Sequence, residues 1–151
     1  MFPPARDLTA ESARLAQIRQ SDGDSPGLAD DYVELALASG QKGGSQSFAA
    51  MMENLRIALE IRRNVFRPDD PMVAIIYRQM YDVSGGSVPP EVALDWLKNS
   101  VDIWERVIEE NRRPPFLNTT YMNTAYQRLA RLYRITGQST QAEEILRKIV
   151  Q

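Results

Sequence analysis

Apolar side chains recur every three or four residues along most of the chain, the spacing that places them on one face of an α-helix. This pattern predicts seven helices, near residues 8–20, 28–39, 47–66, 71–84, 89–112, 118–136 and 140–151. The segments between them are rich in Gly, Pro, Asp and Ser, residues that end helices or cap their starts. No segment alternates apolar and polar residues as a β-strand does. The sequence therefore predicts an all-α protein.

The predicted helices repeat as pairs. Residues 51–65 align without gaps on residues 93–107, an offset of 42, and a third, shorter copy starts at Ala142. Identical apolar residues occupy matched positions of the first two copies: Leu55 and Leu97, Ile61 and Ile103, Val65 and Val107. The helix before each copy leads to a glycine, as expected for a left-handed helix end: Gly40, Gly85 and Gly137. Each repeat is therefore a helix A, a glycine turn and a helix B.

The last helix pair carries a characteristic order of aromatic, Leu, small, Tyr, Gly, Ala and large residues: Tyr126, Leu129, Ala130, Tyr133, Gly137, Ala142 and Leu146. In this order it resembles the tetratricopeptide repeat (TPR) family. The longer period and the segment ALEIRRNVFRPDDP look like the kinesin-light-chain variety. The resemblance implies a TPR-like α-solenoid of about three stacked antiparallel helix pairs. We expect repeats at about 28–67, 68–113 and 114–151, after an N-terminal segment 1–27 with one short helix.

Composition narrows the possible functions. The chain has 151 residues and contains neither Cys nor His. Disulfides, thiol nucleophiles and Cys-ligated zinc are therefore excluded, and the commonest general base and metal ligand is missing. Adjacent acids such as Asp69 and Asp70 are more typical of helix caps than of acid–base catalysis. We expect a protein that is not an enzyme and that has no cofactor and no metal site.

The chain also contains no apolar segment that approaches the length of roughly 20 residues needed to span a membrane. This predicts no membrane partner and a cytoplasmic location. Charge is unevenly distributed: residues 1–111 carry 11 basic and 18 acidic side chains, whereas residues 112–151 carry 7 and 2. The basic end favours an acidic partner, although a solvated basic surface without a partner is an equally good interpretation. The acidic remainder argues against nucleic acid.

The predicted helix 118–136 carries a polar stripe, free of acidic residues, opposite its apolar face. In the family that the chain resembles, this stripe of helix A lines the groove that holds a peptide. The resemblance therefore implies these partner-binding candidates: Thr124, Gln127, Arg131 and Arg134, with Gln79 at the matching position of the preceding repeat. Arginine suits the role because its planar fork pairs with carboxylates. The plainer interpretation is a solvated helix face.

Two further features leave alternatives open. Ile145 and Ile149 of the predicted last helix have no following helix to cover them, so they are candidates for self-association, unless the short helix is an adequate cap. Trp96 and Trp104 align with Asn54 and Arg62, which fits exposed anchors, but burial under the next helix A is the favoured interpretation.

The leading hypothesis is a non-enzymatic scaffold that binds a peptide or protein partner on its concave helix-A face. The alternative is a structural module that forms homo-oligomers through its terminal helices. A regulatory domain of a larger signalling enzyme is less favoured.

Overall fold

The structure is a computed structural model that describes residues 6–41, 44–84 and 88–150. Those ranges contain α-helices and no β-strand, as predicted. The helices are α1 (Leu8–Asp22), α2 (Pro26–Gln41), α3 (Ser45–Val65), α4 (Pro71–Ser84), α5 (Pro90–Glu109), α6 (Thr119–Ile135) and α7 (Ser139–Leu146). Among the described residues, none of these helices combines the length and the apolar character that crossing a membrane requires.

The chain divides into two compact units, Met1–Pro68 and Asp69–Gln151, here called the N-terminal and the C-terminal unit. In the N-terminal unit, α2 packs against both α1 and α3. In the C-terminal unit, α4 packs against α5, α5 against α6, and α6 against α7. The boundaries expected for the three repeats remain a prediction.

The N-terminal unit combines an apolar core with a polar network. Large apolar side chains of α2 and α3, such as Leu35 and Leu55, are fully covered, whereas α1 buries only Leu15. Arg19 of α1 instead donates hydrogen bonds to Asp24 (2.7 Å) and to Glu60 of α3 (2.9 Å). These charge-assisted bonds hold the polar helix α1 and the turn after it against α3.

Two of the glycines that mark the repeats differ in their physical role. Gly137 has φ 79°, the left-handed conformation expected after a helix. Gly40 differs from the prediction, because it lies inside α2 with ordinary helical geometry. A Cβ atom at Gly40 would come within 2.5 Å of the Met51 sulfur, so glycine leaves room for the Met51 side chain there. Gly85 lies outside the described residues.

The core of the C-terminal unit centres on Trp104, which is 1% exposed. Its ring meets Phe116 and Tyr121 edge to face, with ring centroids 5.5 and 6.3 Å away. The favoured prediction that the next helix A covers Trp104 is confirmed. The matched residue of the N-terminal unit, Arg62, is buried too, where it hydrogen-bonds Asp30. A polar residue at this repeat position therefore does not indicate exposure.

The end of the chain departs from the predicted helix over 140–151. Helix α7 ends at Leu146, and the chain then tightens into turns in which Lys148 N donates to Ile145 O and Ile149 N to Leu146 O. The Asn123 side chain of α6 hydrogen-bonds both the N–H and the C=O of Val150. A tertiary partner for the backbone thus replaces the helical hydrogen bonds that the apolar spacing predicts.

Candidate partner-binding face

Helix α6 presents the face on which the sequence places its main candidates. Asn118 caps the helix, because its side-chain oxygen accepts a hydrogen bond from Tyr121 N at 2.9 Å. Below the cap, residues at helical spacing are buried against the rest of the unit: Met122, Ala125, Tyr126, Leu129, Leu132 and Tyr133. The hydrophobic stripe therefore fixes the rotation of α6, and the opposite arc faces solvent.

The candidates occupy unequal environments. Gln127, Arg131 and Arg134 are exposed. Thr124 is half-buried, and its hydroxyl donates to the carbonyl of Thr120 at 3.0 Å, so it is satisfied within its own helix. Gln79 of α4 differs from the expected exposed position, since it is half-buried and its Oε1 is covered without a hydrogen-bond partner among the described residues. The sequence pattern could not show this, because neighbouring helices do the covering.

Ion pairs occupy some of the arginines beside α6. Arg78 of α4 bonds Asp82 at 3.0 Å and lies over the Tyr121 ring, 5.4 Å from its centroid. Arg128 also lies near Asp82, at 3.8 Å. Within the described part of the chain, no carboxylate lies within ion-pairing distance of Arg131 or Arg134. These two guanidinium groups are the positive charges of α6 that remain available to a partner.

Arg131 lies on the wall of a cleft of about 310 Å³. The other walls come from the end of α4, from α5 and the residues just before it, and from the end of α6: Tyr81, Val88, Pro90, Ala93, Leu132 and Ile135. The cleft is largely apolar, and Ile135 leaves 56% of its surface exposed. An exposed apolar side chain beside an available cation is typical of a binding surface. Ile135, four residues after Arg131, is the sequence signal that could have indicated this cleft.

Arg134 does not line the cleft. Three residues of α-helix rotate its side chain by about 60° around the axis relative to Arg131. It lies on the same exposed arc but faces a different part of the surface. The two arginines predicted to act together therefore have separate positions, and Arg131 is the one that lines this cleft.

Comparison with known proteins identifies the fold. No protein-family model matches the sequence, and no curated protein matches it. Among solved structures, the chain is similar to BtubC (BKLC) from P. vanneervenii, with a TM-score of 0.67 and 15% identity over 94% of this chain. It is also similar to kinesin-light-chain-type, TPR-like repeats from Podosopora anserina, with a TM-score of 0.52 and 14% identity over 94% of this chain. The chain has a TPR-like fold.

These similarities confirm the predicted fold, that of TPR-like helical repeat solenoids. The chain covers 53% of the length of BtubC and 72% of the Podosopora anserina chain. Under the predicted repeat boundaries, α4 and α6 are A helices, and α5 and α7 are B helices. That prediction makes the exposed face of α6 an A-helix face. In the described residues, no cluster of three or more acidic side chains could hold a metal ion.

The two self-association candidates lie on different elements of the structure. Ile145 lies in α7, whereas Ile149 lies beyond its end, so the two do not form one strip on a single helix. Both are half-buried. The most exposed apolar residue at this end is Val150, at 61%. The predicted strip on the last helix is therefore wrong in its geometry, because α7 is shorter than its hydrophobic spacing predicts.

Proposed function

We propose that this chain is a non-enzymatic interaction scaffold that binds an acidic peptide segment of a partner protein on the A-helix face of α6. The observation that carries the proposal is Arg131, an exposed guanidinium on the wall of an apolar cleft, with no ion-pair partner among the residues that the structure describes. The cleft can take an apolar side chain of the partner segment, and the Arg131 guanidinium can pair with a carboxylate beside it.

The two parts of the surface contribute differently to such a complex. Ile135 and Leu132 offer apolar area, which favours binding without specifying charge. Arg131 and Arg134 add direction and select acidic partners, at about 1 kcal/mol for each exposed pair and more where water is excluded. Gln127 adds an uncharged donor and acceptor on the same arc. Thr124 and Gln79 contribute less in this proposal, because one is internally bonded and the other is covered.

The direct test is fluorescence anisotropy with a labelled probe peptide, Glu-Glu-Leu-Glu-Glu, and a control probe in which Gln replaces each Glu. We expect the acidic probe to bind, and its affinity to fall as NaCl rises from about 50 to about 300 mM, because salt screens exposed charges. The Arg131→Ala/Arg134→Ala variant should weaken binding by about tenfold or more. Ile135→Ala should weaken binding but leave the salt dependence unchanged.

A matched control separates the site from net charge. Arg14→Ala/Arg63→Ala removes two exposed arginines of the N-terminal unit that have no ion-pair partner in the described part of the chain, and it should leave the affinity almost unchanged. Acidic-probe binding that responds neither to salt nor to the change at Arg131 and Arg134 would remove this face from consideration. The predicted cytoplasmic location belongs to the same proposal, and fractionation of cells would test it.

Self-association through the end of the chain stays the second prediction. Its test is the mass in solution against concentration for the wild type and for Ile149→Glu. A dimer that Ile149→Glu dissociates, without loss of helical content, would support it. A monomer at all concentrations, or a variant that unfolds, would oppose it.

A further inference from the structure

The last described residues, 147–150, fold back on α6 and are here called the C-terminal segment. The Asn123 side chain of α6 contacts the backbone of this segment in two ways. Its Nδ2 donates to the Val150 carbonyl at 2.7 Å, and its Oδ1 accepts from the Val150 N–H at 3.1 Å. A carboxamide that uses both its donor and its acceptor on one residue acts as a neighbouring peptide group would in a sheet.

This recognition depends on the backbone rather than on the side chain of the clamped residue. Val150 keeps 61% of its surface exposed, so its side chain contributes little buried area. Any residue that presents its N–H and its C=O as Val150 does would satisfy Asn123 equally well, whereas a residue without an N–H would leave Oδ1 without its donor.

A second contact selects charge. The Lys148 ammonium donates to Glu105 Oε2 of α5 at 2.8 Å, and the Tyr126 hydroxyl donates to the same oxygen at 3.3 Å. Lys148 Nζ also lies 6.0 Å from the centroid of the Tyr126 ring. A carboxylate held beside an aromatic face favours a cation two positions before the clamped residue.

The two contacts flank a small cleft of about 190 Å³. Its apolar lining comes from α5, from the turn before α6 and from α6 itself: Ile108, Leu117, Met122 and Tyr126. Lys148 and Val150 form the wall that the C-terminal segment contributes. Removing that segment would join the cleft to the space it occupies and leave the Asn123 amide and Glu105 facing the opening.

The geometry points to a second peptide-binding site at Asn123, occupied in this structure by the chain's own C-terminal segment. Its ligand is a peptide with a basic residue two positions before the residue that Asn123 clamps. The charge preference is opposite to that of the acidic peptide proposed for Arg131, so the two sites would take different peptides. The segment is an internal competitor, held by the few polar contacts named above and exposed on its outer side.

The experiment uses a variant that lacks residues 148–151 and the probe acetyl-Leu-Arg-Lys-Ile-Val-amide, followed by NMR of isotope-labelled protein. We expect saturable shifts around Asn123 in the shortened chain and at least about tenfold weaker binding in the full chain, where the segment competes. A probe with N-methylated Val should bind about tenfold more weakly, because it lacks the N–H for Oδ1. A probe with Glu in place of Lys should also lose affinity, because Glu105 repels it.

Matched variants in the shortened chain locate the contact. Asn123→Ala should abolish the preference for the unmethylated probe, whereas Asn99→Ala, which removes a carboxamide from α5 in the same unit, should retain it. If the shortened chain does not fold, the full chain serves instead: excess probe should displace the Val150 amide resonance, and the N-methylated probe should not. The inference is overturned if the folded shortened chain does not bind the probe, if methylation has no effect, or if the full-chain resonance stays in place. The segment would then be only a structural cap.

Discussion

We expect the C-terminal unit to lose stability at alkaline pH because of Tyr126. Burial of its phenol, followed by the negative charge of Glu105 and the hydrogen bond to it, raises the pKa of Tyr126 from 10.0 to about 12. The folded state therefore keeps a proton that the unfolded state releases above its ordinary pKa. The stability from this group is fully present below pH 10 and is lost as the pH rises through the folded pKa.

The magnitude follows from the shift. One pKa unit corresponds to about 1.4 kcal/mol, so the free energy of unfolding falls by about 3 kcal/mol across the whole window. At about pH 11, halfway through the window, the loss is about 1.4 kcal/mol. Tyr126→Phe removes the titrating group and also the 3.3 Å hydrogen bond to Glu105, which costs about 1 kcal/mol at neutral pH. The stability advantage of the wild type should therefore disappear near pH 11.

Urea unfolding of the two proteins at about pH 8 and about pH 11 measures this difference. Both tryptophans, Trp96 and Trp104, lie in α5, so their fluorescence reports on the C-terminal unit. Because the two proteins differ only at residue 126, the difference between their stabilities isolates the effect of Tyr126. An unchanged stability difference between the two pH values would refute the assignment of a raised pKa to this buried phenol.

Three further changes test the N-terminal unit. Arg62→Leu should leave the free energy of unfolding unchanged or raise it by about 1 kcal/mol, because it removes a buried guanidinium whose Nε has no hydrogen-bond partner among the described residues. A large loss of stability in urea unfolding would contradict this. Gly40→Ala should lower the melting temperature, because its Cβ would collide with the Met51 sulfur. A higher melting temperature would contradict this, because it would show that Met51 moves aside and that only the better helix propensity of Ala remains. Hydrogen bonds from Arg19 and then Asn64 lower the pKa of Asp24 below 3.8. Asp24→Asn should therefore lose less stability than the wild type when the pH falls through that folded pKa, and equal acid sensitivity of both proteins would count against this.

The elements of the fold could largely be predicted from the sequence, and the reasons are local. Helix starts follow caps and prolines: α4 begins at Pro71, and the Asp70 side chain accepts from Met72 N at 2.8 Å. The offset between residues 51–65 and 93–107 indicated repeated helix pairs, because equal spacing of apolar residues buries equal faces. The predicted length of the last helix was wrong, because Asn123, which is distant in sequence, hydrogen-bonds the Val150 backbone.

The candidate site was predicted only in part. Helical periodicity correctly placed Gln127, Arg131 and Arg134 on the exposed side of α6, because position on a helix depends on spacing alone. It could not show that Gln79 is covered, since that depends on side chains from other elements. It also missed the cleft beside Arg131, which requires residues from three helix ends to meet.

Sequence by itself thus determined the helices, their amphipathic faces and their repetition, because each depends on contacts within about four residues of the chain. Only the tertiary structure decided which charged groups are already paired. Arg128 and Arg131 look alike in the sequence, yet one approaches Asp82 of α4 and the other remains available. It likewise decided that residues 147–150 leave the helix, because the amide that binds Val150 belongs to a different helix. Pairing, burial and clefts are properties of residues far apart in the chain, and only packing brings them together.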